Sequence, residues 1–150
     1  MDALTTLLEI EALKRPKAEY FFYLDTKQWD LWLGLFTRDI ILQWDRAVST
    51  RGEDGQTMGP LVGIDAIAQA MPVSMNDLQT VHHGHTPIID LTSESDATGV
   101  WAMEEIIGAP HRDYILHGFG HYRETYRKEE GRWRISKLHL TRLRIGRKSL

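Results

Sequence analysis

Helical spacing fills the first half of this 150-residue chain and then stops; from Gln79 onward the sequence reads as strand after strand. Gln79 to Leu91 and Thr98 to Ile107 are apolar-alternating runs joined by the turn Thr92-Ser93-Glu94-Ser95-Asp96. Tyr114 to Arg127 and Trp133 to Ile145 form a second pair, joined at Glu129-Glu130-Gly131. Helices first and antiparallel strands after is the α+β arrangement, with helices packed on one face of a sheet. A strongly curved sheet wrapped around its helices encloses a cavity, and that is the expected architecture.

The helical half has its own punctuation. Leu4, Leu7, Leu8 and Glu11 keep helical spacing over the first turns, with Ile10 and Leu13 beside them. Pro16 predicts a kink or the start of a second helix, because it cannot donate a backbone hydrogen bond. The helical pattern resumes to Leu24, a short amphipathic helix spans 26–36, and Ile40-Ile41-Leu42-Gln43-Trp44 reads as the first strand. Residues 49–59 form a polar turn region, and residues 63–71 form a third helix ending near Pro72. No repeat, linker or low-complexity tract divides residues 1–150, so one domain with one core is expected.

Composition narrows the function classes. With no Cys, disulfides and thiolate zinc sites are excluded. A net charge of −3 argues against general nucleic-acid affinity, although residues 123–150 hold ten Lys or Arg against three Glu, a local balance of +7. Those cations are expected on solvated outer faces of the last strands. The start, Met1-Asp2-Ala3-Leu4, has neither a basic leader nor a long apolar run, so no signal peptide or membrane span is expected and a cytoplasmic location fits.

Two features point to chemistry. Asp25 ends the aromatic run Tyr20-Phe21-Phe22-Tyr23-Leu24, and the His-rich stretch Thr80-Val81-His82-His83-Gly84-His85 lies far along the chain. A carboxylate buried beside an imidazole fixes its tautomer and stabilises its charged form while the ring moves the proton. Asp25-Thr26-Lys27-Gln28 also matches a capping box for the following helix, and both readings stay open on pattern alone. Strand alternation puts His82, Gly84, Thr86 and Ile88 on one face, with small residues beside His82 leaving room for a ligand. His83, His85, Pro87 and Ile89 take the other face. A metal reading rests on His83, His85 and Asp90, spaced as in the first motif of cupins, but Asp90 points away from His83 and no second motif follows. No metal and no cofactor is therefore expected. Tyr20, five residues before Asp25, is turned about 140° from it around a helix and reaches the same pocket only if the wall wraps the helix end. Arg142 and Arg144 share a strand face, and an inward Arg is suited to a substrate carboxylate or carbonyl.

The stretches from Ile10 to Asp30, Thr80 to Pro87 and Ala97 to Glu105 resemble SnoaL-like proteins of the nuclear transport factor 2-like superfamily. The motifs are most similar to the bile-acid 7α-dehydratase branch, with scytalone dehydratase and hexachlorocyclohexane dehydrochlorinase more distant. The resemblance spans nearly the whole chain and implies a cone-shaped, strongly curved mixed sheet around N-terminal helices. It places a catalytic Tyr, Asp and His at Tyr20, Asp25 and His82, a pocket Tyr at Tyr114 and an Arg at Arg142. His83 lies beside the catalytic position and counts among the candidate substrate contacts. On the first strand the branch carries a pocket Tyr where this chain has Trp44, whose indole donates one hydrogen bond and cannot serve as a phenol acid. Where the dehydrochlorinase pattern wants Lys, this chain has Tyr20, which favours loss of water over loss of chloride.

The expected function is a cofactor-independent dehydratase acting on a small, hydrophobic, cyclic, carbonyl-containing substrate of polyketide, aromatic or steroid type. The alternatives are an isomerase or hydrolase using the same pocket, or a non-catalytic binding domain. A half-open sheet in so small a domain needs cover on its outer face, so a homo-oligomer, trimer or dimer, is expected.

Overall fold

The computed structural model describes residues 1–48, 59–111 and 113–149. Helix α1 (Ala3–Asp25) is followed by α2 (Trp29–Leu33), β1 (Phe36–Val48), β2 (Leu61–Val62), α3 (Ile64–Met75), β3 (Gln79–Gly84), β4 (Ile88–Leu91), β5 (Asp96–Gly108), β6 (Tyr114–Glu129) and β7 (Arg132–Ser149). The polar turn expected at 49–59 lies, apart from Gly59, outside the described residues.

All the strands join one curved, mixed sheet in the order β2-β1-β7-β6-β5-β3, with β4 also paired to β5. Every pairing is antiparallel except that of β1 with β7, which brings the first long strand beside the last. Register breaks in β6–β7 at Phe119/Gly120 and Thr125/Tyr126, and two more in β1–β7, are the irregularities that bend long strands. The helices fill the concave side. No helix among the described residues is long and apolar enough to cross a membrane.

Helix α1 starts at Asp2, whose carboxylate accepts from the Thr5 backbone N–H at 2.9 Å. Its core stripe is Leu13, Pro16, Lys17, Tyr20 and Leu24. Leu4, Leu7 and Leu8, which carry the helical spacing of the first turns, are all exposed; α1 first reaches the sheet at Glu9, which accepts from Lys128 Nζ at 2.6 Å and Trp133 Nε1 at 2.7 Å, and its buried stripe starts at Leu13. Pro16 neither starts a second helix nor ends the first; it sits inside α1, buried on the core stripe. Pro72 likewise falls within α3, which runs on to Met75. In both places packing of the flanking residues outweighs one lost backbone bond.

The sequence over 79–91 forms two strands rather than one. His85, Thr86 and Pro87 interrupt it, and β4 restarts in register with β5 through Ile88↔Val100. The core is aromatic where α1 and α2 meet the sheet: Tyr20, Trp32 and Phe36 pack edge to face or tilted with centroids 4.7–6.1 Å apart.

Candidate active site

Helix α1 ends because Lys27 takes a left-handed backbone conformation (φ 58°), closing the helix through Lys27 N–H to Leu24 and Gln28 N–H to Tyr23. That closure fixes Asp25 at the helix end, over the start of β3. Its carboxylate accepts the Thr80 hydroxyl at 2.8 Å and the His82 backbone N–H at 2.9 Å, and lies 2.6 Å from His82 Nδ1. The capping-box reading of Asp25 does not survive: α2 begins at Gln28 with no side-chain cap, and the carboxylate is spent on β3. Burial pushes the Asp25 carboxyl up, but the hydrogen bonds and charge of His82, with the Thr80 hydroxyl, outweigh it and leave the group below its ordinary value. An ionised Asp25 makes Nδ1 the protonated nitrogen of a neutral His82 and turns the Nε2 lone pair inward. Thr80 and His82 share a face by strand alternation, and Lys27 Nζ donates to the Thr80 hydroxyl at 2.9 Å, so two further side chains brace the carboxylate–imidazole contact.

The His82 ring is held on its other side by Phe21, which stacks on it with centroids 6.3 Å apart and planes 10° from parallel. Phe21 also covers Gly84, where a Cβ would run into its ring. The space beside Gly84 is thus filled by Phe21 and not left for a ligand, and Thr86 is exposed beyond the end of β3.

His82 opens instead onto a cavity of about 240 Å³ between the helices and the concave sheet face. Tyr20, Tyr122, Glu105 and Arg142 give it polar walls; Trp44, Leu42, Met71, Leu138 and Leu140 are among its apolar ones. Tyr20 and Tyr122 are buried with ring centroids 5.7 Å apart; burial, then the charges of Glu124 and Glu105, drive the Tyr20 phenol far above its ordinary value, and burial does the same for Tyr122. Both remain neutral donors.

Behind these rings lies a fully buried ion pair, Lys17 Nζ to Glu124 at 2.5 Å. The ammonium sits 4.2 Å from the Tyr20 ring centre and 3.3 Å from that of Tyr122. Burial lowers Lys17 to about 8 against the pull of Glu124. Glu124 also accepts from the Tyr126 hydroxyl, which in turn accepts from Trp101 Nε1 at 2.8 Å.

Of the residues singled out in the sequence, Tyr20, Trp44, His82 and Arg142 line the cavity, and Asp25 reaches it through His82. Two do not. His83 points to the opposite face of β3, is mostly exposed, and lies 3.6 Å from Glu104, which also pairs with His117 at 2.6 Å. Tyr114 starts β6 away from the cavity, its ring under the Arg147 guanidinium at 4.9 Å. The phenol that faces His82's cavity from β6 is Tyr122, further along the same strand. Arg142 is inward as expected but already engaged: Nε donates to Glu105 Oε1 at 2.6 Å and Nη1 to the Asp45 carbonyl. Among the described residues no group of three His, Asp or Glu side chains is placed to hold a metal ion.

Glu105 was overlooked in the sequence. It stands directly across the β3–β5 ladder from His82, almost fully buried, with Oε2 3.9 Å from His82 Nε2. The signal was present: Trp101, Met103, Glu105 and Ile107 form one face of β5 by alternation, and an acid on an otherwise apolar inward face needs a partner.

A helix-filled cone with such a pocket has known counterparts. A provisionally named scytalone dehydratase from Novosphingobium aromaticivorans superposes with a TM-score of 0.84 at 20% identity, over 99% of this chain and 93% of that one. A hexachlorocyclohexane dehydrochlorinase from Novosphingobium barchaimii gives 0.78 at 14% identity, over 98% and 94%. A Mycobacterium tuberculosis protein of unknown function gives 0.76 at 20%, over 95% and 76%. At such identities these likenesses establish the fold alone. The sequence itself goes further: residues 5–139 match the SnoaL-like domain model, and the chain belongs to that family.

Proposed function

We propose that this protein is a cofactor-independent dehydratase that removes water from a small, hydrophobic, cyclic β-hydroxy carbonyl compound. The observation that carries the reading is the 2.6 Å Asp25–His82 contact at the wall of an apolar cavity. Nδ1–H donates a hydrogen bond to the ionised Asp25, so Nε2 is the base that takes the proton next to the substrate carbonyl. Asp25 compensates the charge the ring acquires. The carbonyl oxygen becomes an enolate oxygen and is met by the neutral hydroxyl of Tyr20 or Tyr122. As the enolate collapses to carbonyl and alkene, the β-hydroxyl leaves with the C–O electron pair and takes the proton from Nε2. The similarity to a scytalone dehydratase and a dehydrochlorinase, both named for eliminations, supports this class over a non-catalytic pocket.

The test uses a matched pair of bicyclic ketones. With 1-decalone in D2O, proton NMR follows exchange of the hydrogens beside the carbonyl; with 3-hydroxy-1-decalone, ultraviolet absorbance follows the enone. Both reactions are expected from the wild type, and His82→Gln is expected to slow both by roughly 10²–10⁴. Exchange without enone formation would assign an isomerase instead. Absence of both, or indifference to His82→Gln, would end the proposal.

A further inference from the structure

The cavity holds a second acceptor that the dyad does not use. Among the described residues Glu105 is tied by one oxygen: Oε1 accepts from Arg142 Nε at 2.6 Å, while Oε2 faces His82 Nε2 across 3.9 Å. Gly118, its partner across β5–β6, makes the space for this carboxylate, since a Cβ there would lie 2.5 Å from Oε1. Two acceptors this far apart cannot hydrogen-bond each other. A single oxygen at ordinary hydrogen-bond length, about 2.8 Å, from both fits the gap and subtends roughly a right angle. A hydroxyl there donates its one proton to Oε2 and receives from Nε2 only once Nε2 has itself been protonated.

We propose that Glu105 is the leaving-group site, and that by accepting the O–H of the departing hydroxyl it restricts elimination to hydroxyl over halide. The inference rests on the dehydratase reading for its catalytic part. In the ground state the substrate hydroxyl donates to Oε2, which raises the basicity of its oxygen and turns a lone pair towards Nε2. Nε2 takes the carbon-bound proton, and the N–H so formed delivers that proton to the oxygen as the C–O bond breaks and its electron pair leaves with the oxygen. The product water still donates to Oε2; His82 returns to neutral and Glu105 never changes protonation. A halide has no proton to give and would place a lone pair against a carboxylate. Arg142, occupied by Glu105 and the Asp45 carbonyl, holds the carboxylate in place. Arg142 is therefore a positioning residue here, and the Glu105–Arg142 pair already balances its charge, so the cavity suits an uncharged substrate.

The experiment compares 3-hydroxy-1-decalone with 3-fluoro-1-decalone, a near-isosteric pair differing in one proton. Binding is measured by calorimetry in a His82→Gln background, where turnover is suppressed. A hydrogen bond to a carboxylate predicts that the hydroxy compound binds roughly 10–100-fold more tightly. Adding Glu105→Gln, whose amide donates to fluorine, should collapse the ratio to near one. In the His82-intact protein, Glu105→Gln should slow enone formation from the hydroxy ketone by a much larger factor than it slows 1-decalone exchange, and gain fluoride release. If Glu105→Gln fails to fold, Gly118→Ala moves the carboxylate without removing it and should also erode the preference. Equal binding of the two probes, or a preference indifferent to both substitutions, would overturn the proposal. Parallel loss of exchange and elimination in Glu105→Gln would also overturn it, by assigning Glu105 to His82's support. Hydroxyl preference without any 1-decalone exchange would instead leave Glu105's recognition standing and remove the dehydratase reading.

Discussion

Replacing Lys17 with Met should be among the most destabilising single changes in this protein, and pairing it with Glu124→Gln should restore much of the loss. Lys17 and Glu124 have no exposed side-chain surface and lie 2.5 Å apart behind the Tyr20 and Tyr122 rings. Removing one partner of such a pair leaves the other charge buried without compensation, which costs about 3–5 kcal/mol. Against a typical domain stability of about 5–15 kcal/mol, that is a large share. Gln at position 124 keeps an acceptor for the Tyr126 hydroxyl and carries no charge, so the double variant should be more stable than either single one. Urea unfolding followed by tryptophan fluorescence reads this directly: with a slope of about 1–3 kcal/mol per molar, the Lys17→Met midpoint should drop by more than about 1 M and partly recover in the double variant. The reasoning fails if Lys17→Met costs under about 1 kcal/mol, or if the two single costs add to within about 0.5 kcal/mol, as distant sites do.

Three further outcomes follow from the site. Because the Asp25 carboxyl is held below 3.8 in the folded protein, it contributes stability that is present above that pH and disappears as pH falls through the lowered value. The stability gap between wild type and Asp25→Asn in acid titrations should therefore close below about pH 3.8, and a gap that widened there would contradict the assignment. Gly84→Ala should push Phe21 off its stack on His82, costing about 1–3 kcal/mol of stability and slowing 1-decalone exchange, whereas unchanged exchange would show that the stack does not orient the base. His83→Ala should leave exchange and elimination as they are and shift stability by no more than about 0.5 kcal/mol, since its ring lies outside the cavity; a large loss of turnover would reinstate it.

The division into helices and strands was legible from local periodicity, whereas the meeting of Asp25 with His82 was one of two readings the pattern left open, and the geometry selects it. A carboxylate after an aromatic helical run and an imidazole on a β segment both needed partners, and alternation correctly separated His82 from His83. What was not legible depends on distances between elements. Leu4, Leu7 and Leu8 have the spacing of a core stripe, but only the placement of α1 against the sheet decides that Leu13, Tyr20 and Leu24 form it. Tyr114 and Tyr122 lie on the same strand and share its parity, so periodicity cannot say which one reaches the cavity; the depth of β6 in the cone does. Pro16 and Pro72 look like helix ends until the packing on either side is known.

The signal for Glu105 is a charge out of place on the apolar inward face of β5, and only its cross-strand neighbours reveal what it meets. The interior of this cone carries its ionic groups as compensated sets: Lys17 with Glu124, Arg142 with Glu105, and Asp25 with the ring of His82. The first two bring their own cation. The third acquires one only when His82 has taken a proton, so of the three carboxylates, Asp25 is the one whose compensation depends on the reaction. In the proposed reaction that asymmetry favours proton abstraction, because transferring a proton to Nε2 completes an ion pair with Asp25 already in place. The same logic predicts that supplying the missing cation permanently should uncouple the dyad. Leu24→Lys, placed on the cavity wall beside Asp25, should slow 1-decalone exchange while leaving the preference for hydroxyl over fluorine at Glu105 intact. Loss of both together would mean that the two carboxylates act as one unit and not as separate base and leaving-group sites.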